Sequence, residues 1–254
     1  MANNNKEIII ELDGITKKYF TSKHKPFTAL NNINLKIARG ERIGIVGKNG
    51  SGKTTLLKII GGSIKPSQGE IHANASIVSL IDLEAGFEPE LTGFENIMVN
   101  GLIIGMKKQE IKKKLRSIIN FADIGAYINE PFYTYSAGMK FRLACAVAIN
   151  SKAEVLLFDE ILISGDWDFQ KKIFATLAKT LKDERLTTIT CSHVPELLWS
   201  LADKYYLIEK GVIKKIYKNQ IRRMLLTRHK QFHRTFKTNQ IEEFGVDQKN
   251  KRSS

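Results

Sequence analysis

Residues 47 to 54 read Gly47-Lys48-Asn49-Gly50-Ser51-Gly52-Lys53-Thr54 and match the phosphate-loop pattern G-x-x-x-x-G-K-[ST] at every fixed position. The chemistry such a loop serves is capture of a nucleotide's phosphates. Glycines let successive backbone N–H groups turn inward, Lys53 reaches the β and γ phosphates, and the Thr54 hydroxyl ligates Mg2+. All eight residues, with Thr55 behind them, are the expected nucleotide contacts. A chance match in a glycine-rich turn is the bland alternative, met in roughly one sequence in a hundred of this length. A second group stands further on, where the apolar run Val155-Leu156-Leu157-Phe158 delivers the adjacent carboxylates Asp159 and Glu160. In an open α/β sheet, ligands bind at that end of a strand.

The elements that must position these residues can be read around them. Arg42-Ile43-Gly44-Ile45-Val46 is strand-like, and Thr54 to Ile60 forms a helix that stops at Gly61-Gly62, so the loop sits between strand and helix. Ahead of it, Glu7-Ile8-Ile9-Ile10-Glu11-Leu12 and Asn34-Leu35-Lys36-Ile37 predict a small antiparallel sheet. Tyr19 or Phe20, between those strands, could stack on a base or be ordinary strand residues, with Tyr19 preferred for stacking. Ser67 to Glu70 reads as a turn, followed by strands over Ile71 to Ala73 and Ala75 to Ile81. Thr92-Gly93-Phe94-Glu95 has capping-box form, predicting a helix that carries Ile97, Met98 and Leu102. A basic amphipathic helix is expected from about Lys108 to Phe121, with Ile111, Leu115, Ile118 and Ile119 on one face. Ser136 is a candidate N-cap for a helix over Lys140 to Asn150. A helix from about Phe169 to Leu181, a strand from Leu186 to Cys191 ahead of Ser192-His193, and strands on either side of a Lys210-Gly211 turn complete the core.

At 254 residues and 43 % hydrophobic, the chain can bury one substantial core with appendages. It has no run of 18 apolar residues and no signal-peptide core near Met1, so a cytosolic protein is expected. Cys145 and Cys191 stand apart in apolar segments, which predicts reduced, buried thiols. The net charge of +14 is uneven, with 12 Lys and Arg against 3 Asp and Glu after residue 210. That asymmetry suits an anionic surface, either nucleic acid or the inner leaflet of a membrane.

The phosphate loop, Tyr135-Ser136-Ala137-Gly138-Met139, the strand ending in Asp159-Glu160, and His193 resemble, in order and spacing over about residues 7 to 214, the nucleotide-binding subunit of an ABC transporter. Three segments are similar to a narrower group, the exporters of capsular polysaccharide, O antigen and teichoic acid. They are the Tyr-Ser-x-Gly-Met signature, Gly86-Phe87-Glu88-Pro89-Glu90-Leu91-Thr92-Gly93, and Gly165-Asp166 followed by Phe169-Gln170-Lys171-Lys172. The resemblance implies an α/β fold: a P-loop NTPase core sheet with an antiparallel β subdomain and an inserted α-helical subdomain. It would place the ATP-binding domain at residues 1–218, its helical subdomain at about 92–134, and a basic tail at 219–254.

The residue roles implied are these. Asp159 would hold Mg2+ through water and Glu160 would polarise the attacking water, as suits metal-assisted phosphoryl transfer. Ser136 and Gly138, at a helix N-terminus, would face the γ-phosphate bound by a second copy. His193 would contact the γ-phosphate, and Asp166 would sit in the loop that crosses the dimer interface. The chain departs from the commoner pattern at Ile163-Ser164-Gly165-Asp166, at Ala137 and Met139, and at Asp82-Leu83-Glu84, where many relatives place a magnesium-binding glutamine. Two ATP molecules would close a homodimer that drives an integral membrane permease docked near residues 86 to 134, exporting a lipid-linked polysaccharide from the cytoplasmic face. Only about 40 residues follow the core, so an added carbohydrate-binding domain is not expected. The tail segment Ile221-Arg222-Arg223-Met224-Leu225-Leu226 would lie on the leaflet or be solvated. Export of another substrate, such as a drug or lipid, is an alternative. A soluble ABC ATPase acting on nucleic acid is a less favoured alternative, since no aromatic-rich basic platform is visible and a nucleic-acid partner is not expected.

Overall fold

A computed structural model of the protein describes residues 7–21, 24–81, 85–159, 185–192 and 202–221, together with Phe169, Lys172, Thr176 and Leu198. Two sheets organise them. In the first, β1 (Ile8–Thr21) pairs antiparallel with β2 (His24–Ala38) on one side and β4 (Gln68–Ala73) on the other. The hairpin is far longer than the two short apolar runs predict, because backbone pairing carries on through the charged Lys17-Lys18 and into Tyr19. Gln68 to Glu70 also join a strand instead of turning. Gly69, at φ +83°, lies so close to Asp13 and Gly14 that a Cβ there would meet the Asp13 carbonyl at 2.4 Å.

The second sheet has the order β5-β6-β7-β3-β8-β9, built from β5 (Ile77–Ser79), β6 (Val155–Phe158), β7 (Thr187–Ser192), β3 (Arg42–Val46), β8 (Lys204–Glu209) and β9 (Val212–Ile216). Every neighbouring pair is parallel except β8 and β9, which form a hairpin through Lys210 and Gly211, both at positive φ. The central strands β6, β7 and β3 are buried almost throughout, as covered parallel strands must be. α1 (Lys53–Ile60) sends Leu56, Leu57, Ile59 and Ile60 into the core these sheets share. Arg39, which follows β2, ties the sheets at their other end by bridging Glu7 and Glu154.

The helical part contains α2 (Gly93–Ile103), α3 (Lys108–Ala122) and α4 (Ala137–Asn150). Both halves of the predicted capping box form, the Thr92 hydroxyl accepting from the Glu95 N–H at 3.2 Å and the Glu95 carboxylate accepting from the Thr92 N–H at 2.9 Å. Ile111 and Ile118 of α3 are fully buried, with Leu115 and Ile119 packed beside them. α2 carries Ile97, Met98 and Leu102 as expected, with Ile97 fully buried, Gly101 against Ile111 of α3, and Leu102 50 % exposed. α4 begins at Ala137, three residues ahead of the predicted start. Cys145 and Cys191 are free and buried, and burial pushes the Cys145 thiol pKa far up. Among the described residues, no helix is long and apolar enough to cross a membrane.

Candidate functional site

The loop between β3 and α1 is shaped by three glycines for different reasons. Gly50, at φ +75°, has open space around it, so its backbone conformation alone asks for glycine. Gly47 and Gly52 have no room for a side chain. A Cβ on Gly47 would meet the Ile208 carbonyl at 2.5 Å, and one on Gly52 the Ala29 carbonyl at 2.5 Å. Lys53, only 5 % exposed, folds back over the loop and donates to the Gly47 and Lys48 carbonyls at 3.0 and 3.1 Å. Lys48 and Asn49 are exposed at its rim.

What the loop leaves unused says what it fits. α1 has no side-chain cap and no acidic residue in its first turn, so neither its N-cap nor its own first turn satisfies the free N–H groups and the positive end of the helix dipole. The Ser51 hydroxyl is buried with no hydrogen-bond partner among the described residues. A phosphate group supplies the oxygens those donors lack.

At the start of α1 the Thr54 hydroxyl donates to the Asp159 carboxylate at 2.6 Å. Asp159 is 9 % exposed and follows β6, which is separated from β3 by β7 alone, so the parallel sheet brings residues 105 positions apart into contact at the carboxyl ends of its strands. A hydroxyl and a carboxylate at this separation are hard oxygen donors of the kind Mg2+ takes. Thr55 is half-buried behind Thr54. Glu160, Asp166 and His193 lie outside the described residues, as do Asp82 and Glu84.

Ser136 and Gly138 sit elsewhere, at the N-terminus of α4. The Ser136 hydroxyl caps that helix by accepting from the Met139 N–H at 3.2 Å. Ser136 is exposed, α4 carries no acidic residue in its first turn, and a Cβ on Gly138 would find nothing nearer than 3.9 Å. Packing among the described residues therefore does not require glycine there. Tyr135 anchors the segment from below, its buried hydroxyl donating to the Tyr127 carbonyl at 2.5 Å, and burial raises its pKa. A Cβ on Gly93 would strike that hydroxyl at 2.1 Å, so the start of α2 is locked to the start of α4.

Tyr19 is on β1, paired with Phe27 and 39 % exposed, with the Lys17 ammonium 5.3 Å from its ring centroid. Two positions back, Lys17 pairs with Leu30, whose side chain lies against Gly52 of the loop. Phe20 is more exposed still, at 76 %.

Two supports escaped the sequence reading. Gly211 donates its N–H to the Ser51 carbonyl at 3.2 Å and accepts from the Asn31 N–H at 2.9 Å, joining the β8–β9 hairpin, the phosphate loop and β2. Lys210-Gly211 is legible as a turn, but nothing local names its distant partner. Asn96, fully buried, accepts from the Glu88 N–H and donates to the Glu88, Leu91 and Thr92 carbonyls, folding the 86–93 loop onto α2. An Asn inside a helix at a position facing a polar loop was the available signal.

Among curated relatives, ABC transporter protein AbcA of Aeromonas salmonicida is 44 % identical over 189 residues, covering 74 % of this chain and 61 % of that protein. The O-antigen export system ATP-binding protein RfbB of Myxococcus xanthus is 41 % identical over 191 residues, covering 75 % of this chain and 44 % of that one. The chain thus spans less than two thirds of the length of either relative. A solved dimeric ATP-binding cassette, MJ0796, in a post-hydrolysis state bound to ADP and Pi, superposes with a TM-score of 0.69 at 24 % identity, covering 82 % of this chain and 99 % of that one, a likeness of fold. The ABC transporter family model matches residues 30–162. That match begins within β2, takes in the phosphate loop and the start of α4, and ends just beyond Asp159; the chain belongs to the ABC transporter family.

Proposed function

We propose that this protein is the ATP-hydrolysing subunit of an exporter that moves a lipid-linked surface polysaccharide across the cytoplasmic membrane. The observation that supports the hydrolase half is the 2.6 Å contact between Thr54 and Asp159, two oxygen donors suited to a cation, at the mouth of a loop whose buried Ser51 hydroxyl has no hydrogen-bond partner among the described residues. Lys53 and the loop amides bind and orient the β and γ phosphates, and Tyr19 offers its ring to adenine. Thr54, and Asp159 through water, would hold Mg2+, which would supply neutralisation of phosphate charge. Glu160 takes the proton of the attacking water, and His193 contacts the γ-phosphate. Ser136 and Gly138 complete the site of a second copy, with Asp166 at the interface between the two. The permease docks near residues 86 to 134, at the cytoplasmic face of the membrane. The similarity to the Myxococcus xanthus O-antigen export system ATP-binding protein supports the choice of substrate class.

The test is Glu160→Gln. The purified variant should bind ATP and lose hydrolysis, and cells carrying it should accumulate glycan inside while synthesis continues. Unchanged surface glycan together with lost hydrolysis would keep the ATPase and overturn the substrate class. Undiminished hydrolysis would overturn the role given to Glu160.

A further inference from the structure

We propose that the outer face of α3, with the exposed end of α2, is a docking surface for an anionic lipid bilayer. Lys107, Lys108, Lys112, Lys113 and Arg116 are all exposed, and none forms an ion pair with a described residue. The acidic residue of this helix, Glu110, is already occupied by Lys114 at 3.4 Å and Lys152 at 3.5 Å. Lys108, Lys112 and Arg116 follow one another at i, i+4 and i+8, a spacing at which like charges destabilise a helix. Lys107 occupies the N-cap without a capping bond and Lys108 opens the helix, so both meet the positive end of its dipole. The inner face, by contrast, is well made, with Ile111 and Ile118 fully buried. α3 is therefore helical in spite of the charges on its outer face, and those charges have no use within the described chain. An external anionic surface turns that repulsion into attraction.

The neighbouring apolar side chains choose the kind of surface. Leu102 and Ile103, at the end of α2 just before the basic row, are 50 % and 62 % exposed. A bilayer interface takes both classes at once, aliphatic tips below the headgroups and Lys and Arg heads among the phosphates. A nucleic-acid backbone would use the charges and leave the aliphatics in water, and the patch carries no ring on which a base could stack. The proposal rests on the function above only for the nearness of a membrane, and lipid binding is read without ATP, permease or glycan.

The experiment is vesicle flotation of the full-length protein on phosphatidylcholine vesicles with and without about one part in four phosphatidylglycerol. The comparison is between wild type and the triple variant Lys108→Glu, Lys112→Glu, Arg116→Glu. Wild type should float on the anionic vesicles alone, with binding that weakens as salt rises. The triple variant should lose roughly tenfold or more of that binding while melting near the wild-type temperature, since all three side chains are exposed, the like-charge row changes sign without being lengthened, and an acid at the helix start suits the dipole. Leu102→Ser with Ile103→Ser should remove the part of the binding that survives high salt. Equal flotation of wild type and triple variant would overturn the proposal and point to the basic segment after residue 218. Failure of wild type to float would overturn it too, as would charge-dependent binding to duplex DNA or RNA without binding to vesicles. ATP hydrolysis of the triple variant in solution should stay at the wild-type rate, so a failed lipid result and a failed ATPase assignment read differently.

Discussion

The N-termini of α1 and α4 share one chemistry and differ in how much of it the chain itself encloses. Each presents free backbone N–H groups with no acidic residue in the first turn. Around α1 the enclosure is tight: Gly47 and Gly52 touch distant carbonyls, Gly211 braces Ser51 from outside, and Asp159 holds Thr54. Around α4 there is open space, with Ser136 exposed and Gly138 unhindered. The start of α2 supplies the contrast, since there Glu95 fills the place of an external anion and nearby Thr92 hydrogen bonds hold its carboxyl below the usual range. One end is a finished half-site, one is closed by its own side chain, and one is left for something outside the chain.

That comparison breaks most sharply at Gly138. Gly138→Asp should stabilise α4 slightly through its dipole, by about 0.5 kcal/mol, because the site has room for the side chain. The same change should cut ATP hydrolysis by roughly a hundredfold or more, since a carboxylate would repel the phosphate presented by a second copy. Thermal melting and steady-state ATPase rates measured together decide it. A folded variant with normal turnover would mean that the open end of α4 is merely solvated.

A smaller effect is expected at the self-satisfied end. Thr92→Ala removes the cap of α2 and should cost about 1 kcal/mol of stability by denaturant titration, with hydrolysis of the purified subunit unchanged. Lost turnover at full stability would show that this end, too, serves the reaction.

The smallest effect concerns the far side of the molecule, away from both helix starts. The Glu154 carboxyl is held below its ordinary value of 4.5, first by the Ser76 N–H and next by Arg39. A depressed folded pKa contributes stability that is fully present above pH 4.5 and is lost as the pH falls through the lower folded value. Glu154→Gln should therefore lower stability at neutral pH by about 0.5 kcal/mol, a value reduced for the solvent exposure of the group. The difference should vanish in acid. A constant difference across pH would assign the loss to packing instead of charge.

How much of this was legible depends on the range of the interaction. The strand, phosphate loop and first helix are read from residues within about twenty positions of one another, because turn glycines, a lysine and an apolar run act locally. The capping box at Thr92 and Glu95 and the cap at Ser136 are local in the same way, and both form. The hairpin β1–β2 was underestimated because its middle is polar, and a ladder of backbone hydrogen bonds is indifferent to that polarity. That Leu102 of the predicted helix lies outside was not legible, because spacing alone does not say which edge of an apolar helix face meets a neighbour.

By itself, the sequence determined which residues could do chemistry: a phosphate-loop pattern at residues 47 to 54, adjacent carboxylates after a buried strand, and buried thiols at Cys145 and Cys191. These follow from residue type and short spacing, which set backbone conformation and local hydrogen bonding before any long-range contact forms. Only the tertiary structure decided that Asp159 meets Thr54 and that Gly211 reaches Ser51. It also decided that Ile71 and Ile77, six residues apart, enter different sheets, and that Gly138 faces open space. Each of those depends on which strands become neighbours, and strand order is set by burial of the whole core, which no single stretch of the chain encodes.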